Sequence, residues 1–460
     1  MSGWLGLNTA LSALTASQLA LDTAAHNTAN ANTPGYSRQR VSMVESLPYT
    51  YPAFNRSGLP GQIGTGVTVA TIERVRDSFL DVQIRSQLSL QGQWQTKSDE
   101  LAKVESAFPE PGGSGLGTAL NSFWNAWQDL AADPTSSAAR SALVGQAGTL
   151  TQQFTTAAGQ LTSLVEGIDY QVGQQVSQVN TLASQIASLN GQIQRVTVAG
   201  DQPNDLADQR DLLLDKLSQI VPITTVPKAD GTVTVLIAGT DLVEHGTARL
   251  MTTAPDANGH SVPTWSSGGS VALGTSQLGA YVSVRATLAG YQDQLNTLAR
   301  GVADAVNTAQ TNGGGQAFFT YTPGAAASTI AVSAAVVADP SLVVTGAAGS
   351  PGDGGIAGAI ADLRNAKLFG SGTQTASGFY ANLIGTIGSD AQQANAMSTN
   401  EGLVVNQLTT RRESVSGVSL DEEATDMIRF QRAYQAAARV ITIVDETLDT
   451  IINKTGLVGR

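Results

Sequence analysis

The sequence has 460 residues, 42% of them hydrophobic, with no cysteine and a formal net charge of −12 at pH 7. That length calls for about two to four domains with packed cores, and the missing cysteines exclude disulfides, thiolate nucleophiles and Cys-ligated metals. The acidic balance speaks against nucleic acid, whose affinity rests on Lys and Arg neutralising phosphates, and against an anionic membrane surface.

Residues 1 to 31 read as a helix with a narrow apolar stripe. Trp4, Leu7, Leu11, Leu14, Leu21 and Ala25 follow steps of three and four, interrupted at Gln18, which is the pattern of a coiled-coil seam. Ser, Thr, Asn and Gln recur too often here for a membrane span. The first basic residue is Arg38, so the charged start of a cleavable signal peptide is missing, and export would need another route. Asn32-Thr33-Pro34-Gly35 stops the helix, with Pro34 and Gly35 suited to the centre of a type II turn.

Residues 75 to 220 look almost entirely helical. The cleanest seam is Val165, Ile168, Val172, Gln175, Val179, Leu182, Ile186, Leu189, Ile193 and Val196, a rod of roughly 48 Å. Pro109 to Gly113 marks one break. Asp133-Pro134 marks another, with Asp133 expected as the N-cap and Pro134 at the first helical position. Phe123, Trp124 and Trp127 sit at helical spacing and read as helix core. Asp205, Asp208, Asp211 and Asp215 cluster on one helix face, opposite Leu206, Leu213, Leu217 and Ile220, with Arg210 and Lys216 between. The expectation is an amphipathic helix with a solvated acidic face.

From Pro222 the period changes to two. Val233 and Val235 alternate with Thr232 and Thr234 after Asp230-Gly231, the signature of a β-hairpin. Residues 281 to 311 return to helix through Val284, Leu288, Tyr291, Leu295, Leu298, Val302 and Val306. A Gly/Ala-rich stretch from Asn312 to about Ser377 holds short strand-like pieces such as Thr329-Ile330-Ala331-Val332, and helix resumes from Phe379 to Val415. The last helix opens at Ser419 with Glu422 at capping-box spacing. Its seam is Met427, Phe430, Tyr434, Ala437, Ile441, Val444, Leu448 and Ile451, with Gly456 a C-cap candidate.

The fold class is therefore mainly α with β inserts: terminal coiled-coil helices, an elongated helical-bundle domain, and one or two outer β-rich domains. The expected partition is a terminal helical domain of 1–40 and 417–460, a helical rod domain of 41–221, 276–312 and 378–416, a β-rich domain of 222–275, and a β or irregular insert of 313–377. Unburied stripes are marginal in water, so the first 35 or so and last 40 or so residues are expected to be mobile in the free monomer and to pack in an assembly. His26, His245 and His260 are the three histidines, and they make no metal-ligand spacing. There is no P-loop, and nothing resembles a nucleophile with its base and orienter. No catalytic, cofactor-binding or metal residue is assigned.

Asn27-Thr28-Ala29-Asn30-Ala31-Asn32-Thr33-Pro34-Gly35-Tyr36-Ser37-Arg38-Gln39 resembles the N-terminal signature of the bacterial flagellar rod, hook and hook-associated family. Gly417-Val418-Ser419-Leu420-Asp421-Glu422-Glu423 and the following Arg429-Phe430-Gln431-Arg432-Ala433-Tyr434-Gln435-Ala436 resemble its C-terminal end, and Leu-Asp-Glu-Glu is closer to the hook-associated members than to the hook protein. The helical middle agrees. Phe123-Trp124 through Pro134 to Ala139-Arg140, Leu206 to Asp211, and Phe318-Phe319 with Ala338-Asp339-Pro340-Ser341 look like the hook-associated branch. The resemblance is weakest in 240–275 and 342–377. It marks Asn27, Asn30, Thr33, Gly35, Tyr36, Arg38 and Gln39 as signature residues. With it, Leu7, Leu11, Leu14, Leu21, Met427, Phe430, Tyr434, Ile441, Val444, Leu448 and Ile451 become the assembly seam.

The resemblance implies a non-catalytic adaptor at the hook–filament junction, exported by the flagellar type III route without a cleavable signal peptide. Implied partners are copies of itself in a ring on the hook tip, the hook protein, a second hook-associated junction protein, and an export chaperone on the C-terminal helix. It implies no cofactor, nucleic acid or membrane. The hook protein is the alternative within the family, and a peptidoglycan hydrolase the alternative of another class.

Overall fold

The computed structural model describes residues 2–48, 64–108, 110, 115–347, 350 and 352–454. In chain order its elements begin with helix α1 (Ser2–Ala29), strands β1 (Gln39–Glu45) and β2 (Val67–Arg74), and helices α2 (Ser78–Ala107), α3 (Leu116–Ala132), α4 (Ser137–Val198) and α5 (Asn204–Ile220). Six strands follow: β3 (Thr224–Pro227), β4 (Val233–Ile237), β5 (Thr240–Glu244), β6 (Thr247–Ala248), β7 (Met251–Pro255) and β8 (Ser261–Trp265). The rest comprises α6 (Gln277–Asn312), β9 (Phe319–Thr320), α7 (Ala326–Thr329), β10 (Ala331–Val332), α8 (Ala334–Ala338), α9 (Gly355–Asp362), α10 (Ala376–Ser416) and α11 (Leu420–Asp449). Two compact units share the chain: 1–88, 179–250 and 403–460 form the first, and 89–178 with 251–402 the second.

In the first unit α1 lies against α11. The buried positions of α1 are Ala10, Ala16, Ser17, Ala20, Thr23, Ala24 and Asn27. Of these Ala10, Ser17, Ala20, Ala24 and Asn27, with the half-buried Gly6 and Ala13, follow one another in steps of four and three, the heptad rhythm. A side chain built at Gly6 would meet Val444 Cγ2 at 3.8 Å. The leucine stripe sits to one side: Leu7, Leu14 and Leu21 are half-buried, Leu11 is 51% exposed and Trp4 71%. Bulky apolar residues thus flank the contact, and small ones make it.

The antiparallel β1–β2 pair runs from Gln39↔Arg74 to Glu45↔Val67 with a register shift at Ser42/Met43. It lies on α1 at Gly66, whose φ of +112° and missing Cβ both count: a Cβ there would run into Ser12 Oγ and the Thr9 backbone. Strands β3-β4-β5-β6 form a four-stranded antiparallel sheet in that order. Gly231 (φ +81°) serves the β3–β4 turn expected from Asp230-Gly231, and Asn190 on α4 bonds both the N–H and the carbonyl of Val233.

The second unit is built on α3, α6 and the parts of α2, α4 and α10 that fall within 89–178 and 251–402. Phe123, Trp124 and Trp127 are buried with Phe318 and Phe319, with neighbouring ring centroids 4.8–6.3 Å apart. The α6 seam is buried throughout. In α4 the seam residues are buried except Gln175 and Val196, which are half-buried, and Gln175 Oε1 finds no hydrogen-bond partner among the described residues. The β7–β8 hairpin is tied down through Arg285, which donates to Ser261 O (2.8 Å) and to Asp169 Oδ1 (2.5 Å). His260 Nδ1 lies 3.0 Å from Asp169 Oδ2.

Two local expectations are corrected. The cap of α4 is Ser136, whose Oγ accepts from Ala139 N at 3.1 Å, whereas Asp133 ends α3 and Pro134 lies in the turn between. Of Thr329-Ile330-Ala331-Val332 only Ala331–Val332 is strand, and the stretch from 313 to 377 is mostly turns and short helices, because its alanine runs favour helix. The helix start expected at Ser419 is as read: its side chain accepts from Glu422 N, and the Glu422 carboxylate binds Arg38. Gly456 lies outside the described residues.

Because Ala20 is 1% exposed at the helix contact, Ala20→Leu should overpack it by about 1–3 kcal/mol. Hydrogen exchange should then speed up across α1 and α11 and stay unchanged in α6.

Candidate functional site

The end of α1, the turn after it, β1, α5 and the start of α11 meet at one polar node in the first unit. Pro34 and Gly35 form the turn, with Gly35 at φ +82° and Tyr36 N donating to Thr33 O at 3.1 Å. A Cβ at Gly35 would press on Leu212 of α5. Before the turn, Asn30 Nδ2 donates to His26 O (3.1 Å) and Thr33 Oγ1 to Asn30 Oδ1 (3.1 Å), closing the helix end.

Asn27 is the hub. Its Oδ1 accepts from Tyr36 Oη (2.7 Å) and Gln39 N (2.9 Å), and its Nδ2 donates to Gln39 O (2.9 Å) and Glu423 Oε2 (3.1 Å). Glu423 is 2% exposed, and Arg38 Nε meets its other oxygen at 2.7 Å. The same guanidinium reaches Glu422 at 2.6 Å and Asp426 at 3.6 Å, while Arg38 N donates to Ser416 O at 2.8 Å. Gln39 Nε2 donates to Asp205 Oδ1 at 2.7 Å. All seven signature residues therefore lie in or beside this node. Burial, aided by Asp205, Asp208 and Glu423, raises the Tyr36 hydroxyl well above the ordinary tyrosine range, so it stays a donor.

The solvated acidic face expected on α5 is overturned. Asp208 and Asp211 are buried, Asp215 nearly so, and only Asp205 is exposed. Ser37 N and Oγ both donate to Asp208 at 2.8 Å. Arg74 reaches Asp208 (2.9 Å) and Asp211 (2.8 Å), and Arg85 reaches Asp211 (3.1 Å) and Asp215 (2.9 Å). Arg412 of α10 reaches Asp215 at 2.6 Å, and Arg76 grips Asp81 at 2.6 Å while lying 3.5 Å from Asp208. Four arginines thus answer Asp81, Asp208, Asp211 and Asp215, which leaves no net charge within that cluster. Burial pushes the Asp211 carboxyl up, but Arg76, Arg74 and Arg85 outweigh it and hold it at about 2. Arg210 is also buried, on the other side of α5. It donates to Asn190 Oδ1 and Gly231 O, and burial lowers it to about 10.

These arginines were the functional residues that sequence reasoning missed. The signal was Arg74-x-Arg76 with Arg85 one helix start later: closely spaced cations in an acidic chain, against four aspartates on one helix face. On α11 the seam residues Met427, Phe430, Tyr434, Ile441, Val444 and Leu448 are half-buried and Ile451 is exposed. A cleft of about 580 Å³ beside the node is lined by Ala31 to Arg38, Leu212 and Arg412 to Ser419. Among the described residues no group of His, Cys, Asp and Glu could hold a metal, and no helix is long and apolar enough to cross a membrane.

Comparison with known proteins follows the same layout. The family model for the flagellar hook-associated protein FlgK helical domain matches residues 101–319. The flagella basal body rod protein model matches 7–36, and the C-terminal model of flagellar basal body rod FlgEFG proteins matches 412–454. The flagellar hook-associated protein 1 of Bacillus subtilis is 36% identical over the whole of both chains. Those of Salmonella typhimurium and Escherichia coli are each 28% identical, covering 97% of this chain and 99% of theirs. A solved structure of the flagellar hook junction protein FlgK from Burkholderia pseudomallei, 18% identical, superposes with a TM-score of 0.65 over 73% of this chain and 100% of its own, so the fold is shared.

Asp211→Asn should cost about 3–5 kcal/mol, because it strands buried guanidinium groups. The sign with pH is fixed by the lowered carboxyl. Its contribution is complete above about 4 and is lost as pH falls from there through about 2. Acid unfolding followed by circular dichroism should therefore be shallower below pH 4 in the variant than in the parent chain.

Proposed function

We propose, for a chain that belongs to the flagellar hook-associated protein 1 family, the role of a structural adaptor that joins the flagellar hook to the filament. The observation that carries this reading is the terminal helix pair. Its two ends match the rod-protein end models, it covers one face with small residues, and it leaves Trp4 and Leu11 of α1 and Ile428, Val440 and Ile443 of α11 open. A soluble helix pair gains by covering such stripes: each fully buried Leu or Ile contributes roughly 1.5–3 kcal/mol.

The open stripes are covered by neighbouring copies in a ring on the hook tip, with Leu7, Leu11, Leu14 and Leu21 as the contact from α1. The seam of α11 from Met427 to Ile451 holds α1 in place beneath them. The signature node fixes the angle at which the helix pair leaves the body of its unit, so every copy presents the same stripe. The hook protein lies on one side of the ring, and a second hook-associated junction protein on the other. An export chaperone holds the α11 segment before assembly, when its seam has no partner. The role is mechanical and not catalytic. The helical segments of 41–221, 276–312 and 378–416 serve as the rod, with 222–275 and 313–377 as outer inserts.

Deleting the gene tests the reading. Electron microscopy should show bare hooks, with filament protein free in the medium; rods without hooks would make this the hook protein instead. Leu14→Asp should block assembly at the junction while the circular dichroism of the helical body stays at the parent level. Normal filaments in that variant would remove the leucine stripe from the mechanism.

A further inference from the structure

Three asparagines precede glycine in the chain: Asn190-Gly191, Asn258-Gly259 and Asn312-Gly313. This pairing carries a reaction of its own. The backbone nitrogen of the glycine, with no Cβ beside it to obstruct the approach, attacks the asparagine Cγ. The N–Cγ bond forms, the Cγ–Nδ2 bond breaks, and ammonia leaves with the proton of the glycine N–H. Water then opens the cyclic imide at either carbonyl and leaves aspartate or isoaspartate. Ring closure requires a free carboxamide and a backbone that can swing the glycine nitrogen behind Cγ.

The fold treats the three pairs differently. Asn190 is 0% exposed within α4. Its Nδ2 donates to Val233 O (2.8 Å), and its Oδ1 accepts from Val233 N (3.2 Å) and from Arg210 (3.2 Å). Asn312 is exposed, but it is the last residue of α6, and the amides that follow are committed: Gly313 N to Ala309 O, Gly314 N to Thr311 O and Gly315 N to Gln310 O. A Cβ at Gly313 would run into Ile356, so that glycine is also packed. Asn258 stands apart. It lies in the β7–β8 turn, exposed like Gly259, and its carboxamide has no hydrogen-bond partner among the described residues. Nothing stands within 4 Å of a Cβ placed on Gly259 (φ +83°). One hydrogen bond, Gly259 N to Asp256 O at 3.0 Å, holds the attacking nitrogen.

We propose that Asn258 is a self-modifying site, converted to aspartate and isoaspartate as the molecule ages, and that isoaspartate frees the turn from α4. Asp256 Oδ1 spans the N–H groups of Asn258 (2.8 Å) and His260 (3.0 Å). Isoaspartate inserts a methylene into the main chain between those two groups, so a single oxygen no longer reaches both. His260, whose Nδ1 lies 3.0 Å from Asp169 of α4, is the residue this releases. The bonds from Arg285 to Ser261 O and Asp169 lie beyond the insertion and keep the rest of the hairpin in place.

The full chain, aged at mildly alkaline pH and digested with trypsin, tests both parts. Residues 250–285, 141–195 and 301–364 are separate tryptic peptides that hold Asn258, Asn190 and Asn312. Mass spectrometry should find the exchange of NH2 for OH at Asn258 first. Conversion at Asn190 should be at least about tenfold slower, since its carboxamide must leave three hydrogen bonds. The chain unfolded in urea should convert at all three. A folded chain in which Asn190 or Asn312 keeps pace with Asn258, or in which Asn258 stays intact while the unfolded chain converts, overturns the site. Hydrogen exchange at His260 should be about fivefold faster in the isoaspartate fraction, the loss of one hydrogen bond. Asn258→Asp, which carries the charge without the added methylene, should exchange at the parent rate. No change in the isoaspartate fraction, or an equal change in Asn258→Asp, overturns the release of the turn.

Discussion

Burying charge is costly unless each charge is answered, and in the first unit one network of four arginines and four aspartates meets that requirement. Asp208, Asp211 and Asp215 lie on α5, Arg74 and Arg76 at the end of β2 and just after it, Asp81 and Arg85 on α2, and Arg412 on α10. None of these segments can bury its charges alone. Removing any one leaves the others with an uncompensated ion in a low-dielectric setting. The unit therefore forms only when widely separated stretches of chain arrive together, and the terminal helix pair is mounted on the result through Ser37 and Arg38.

The helix pair obeys a different constraint. Gly6, Ala10, Ala13, Ser17, Ala20 and Ala24 bring little apolar area, so their value lies in letting two backbones approach. Leucines in those positions would hold the helices apart and spend the apolar surface inside the monomer. Placed one step around the helix, they stay partly open. One helix is thus divided into a small-residue face that meets its own chain and a large-residue flank that its own chain leaves half-buried or exposed.

Elements whose period repeats over many turns were legible in the sequence: α4, α6 and α11 appear where steps of three and four placed them, because burial on one face imposes that rhythm. The Pro34-Gly35 turn was legible because so few residues accept its geometry. The small-residue face by which α1 meets α11 was not legible beside the leucine stripe, since alanine carries no sign of burial. The acidic face of α5 was misread for a stronger reason. Carboxylates on a helix look alike whether they face water or arginine, and Arg74, Arg76, Arg85 and Arg412 are brought to them only by the tertiary fold. Asn27 was visible as part of a signature, but its role as a hub was not, because its partners Tyr36, Gln39 and Glu423 acquire meaning only in space.

The bond from Asn27 to Glu423 bridges 396 positions of sequence, and this bears on the order in which the molecule is completed. Closing so long a loop is entropically expensive and slow compared with the local contacts of α4 or α6. On a chain that emerges from its amino end, α1 is made long before α11 and stays without its partner until α11 appears. Its alanine face has nothing to meet in the meantime. A segment made long before its partner is thus among the last to settle, and both helices remain open to other company for as long as the middle takes to fold.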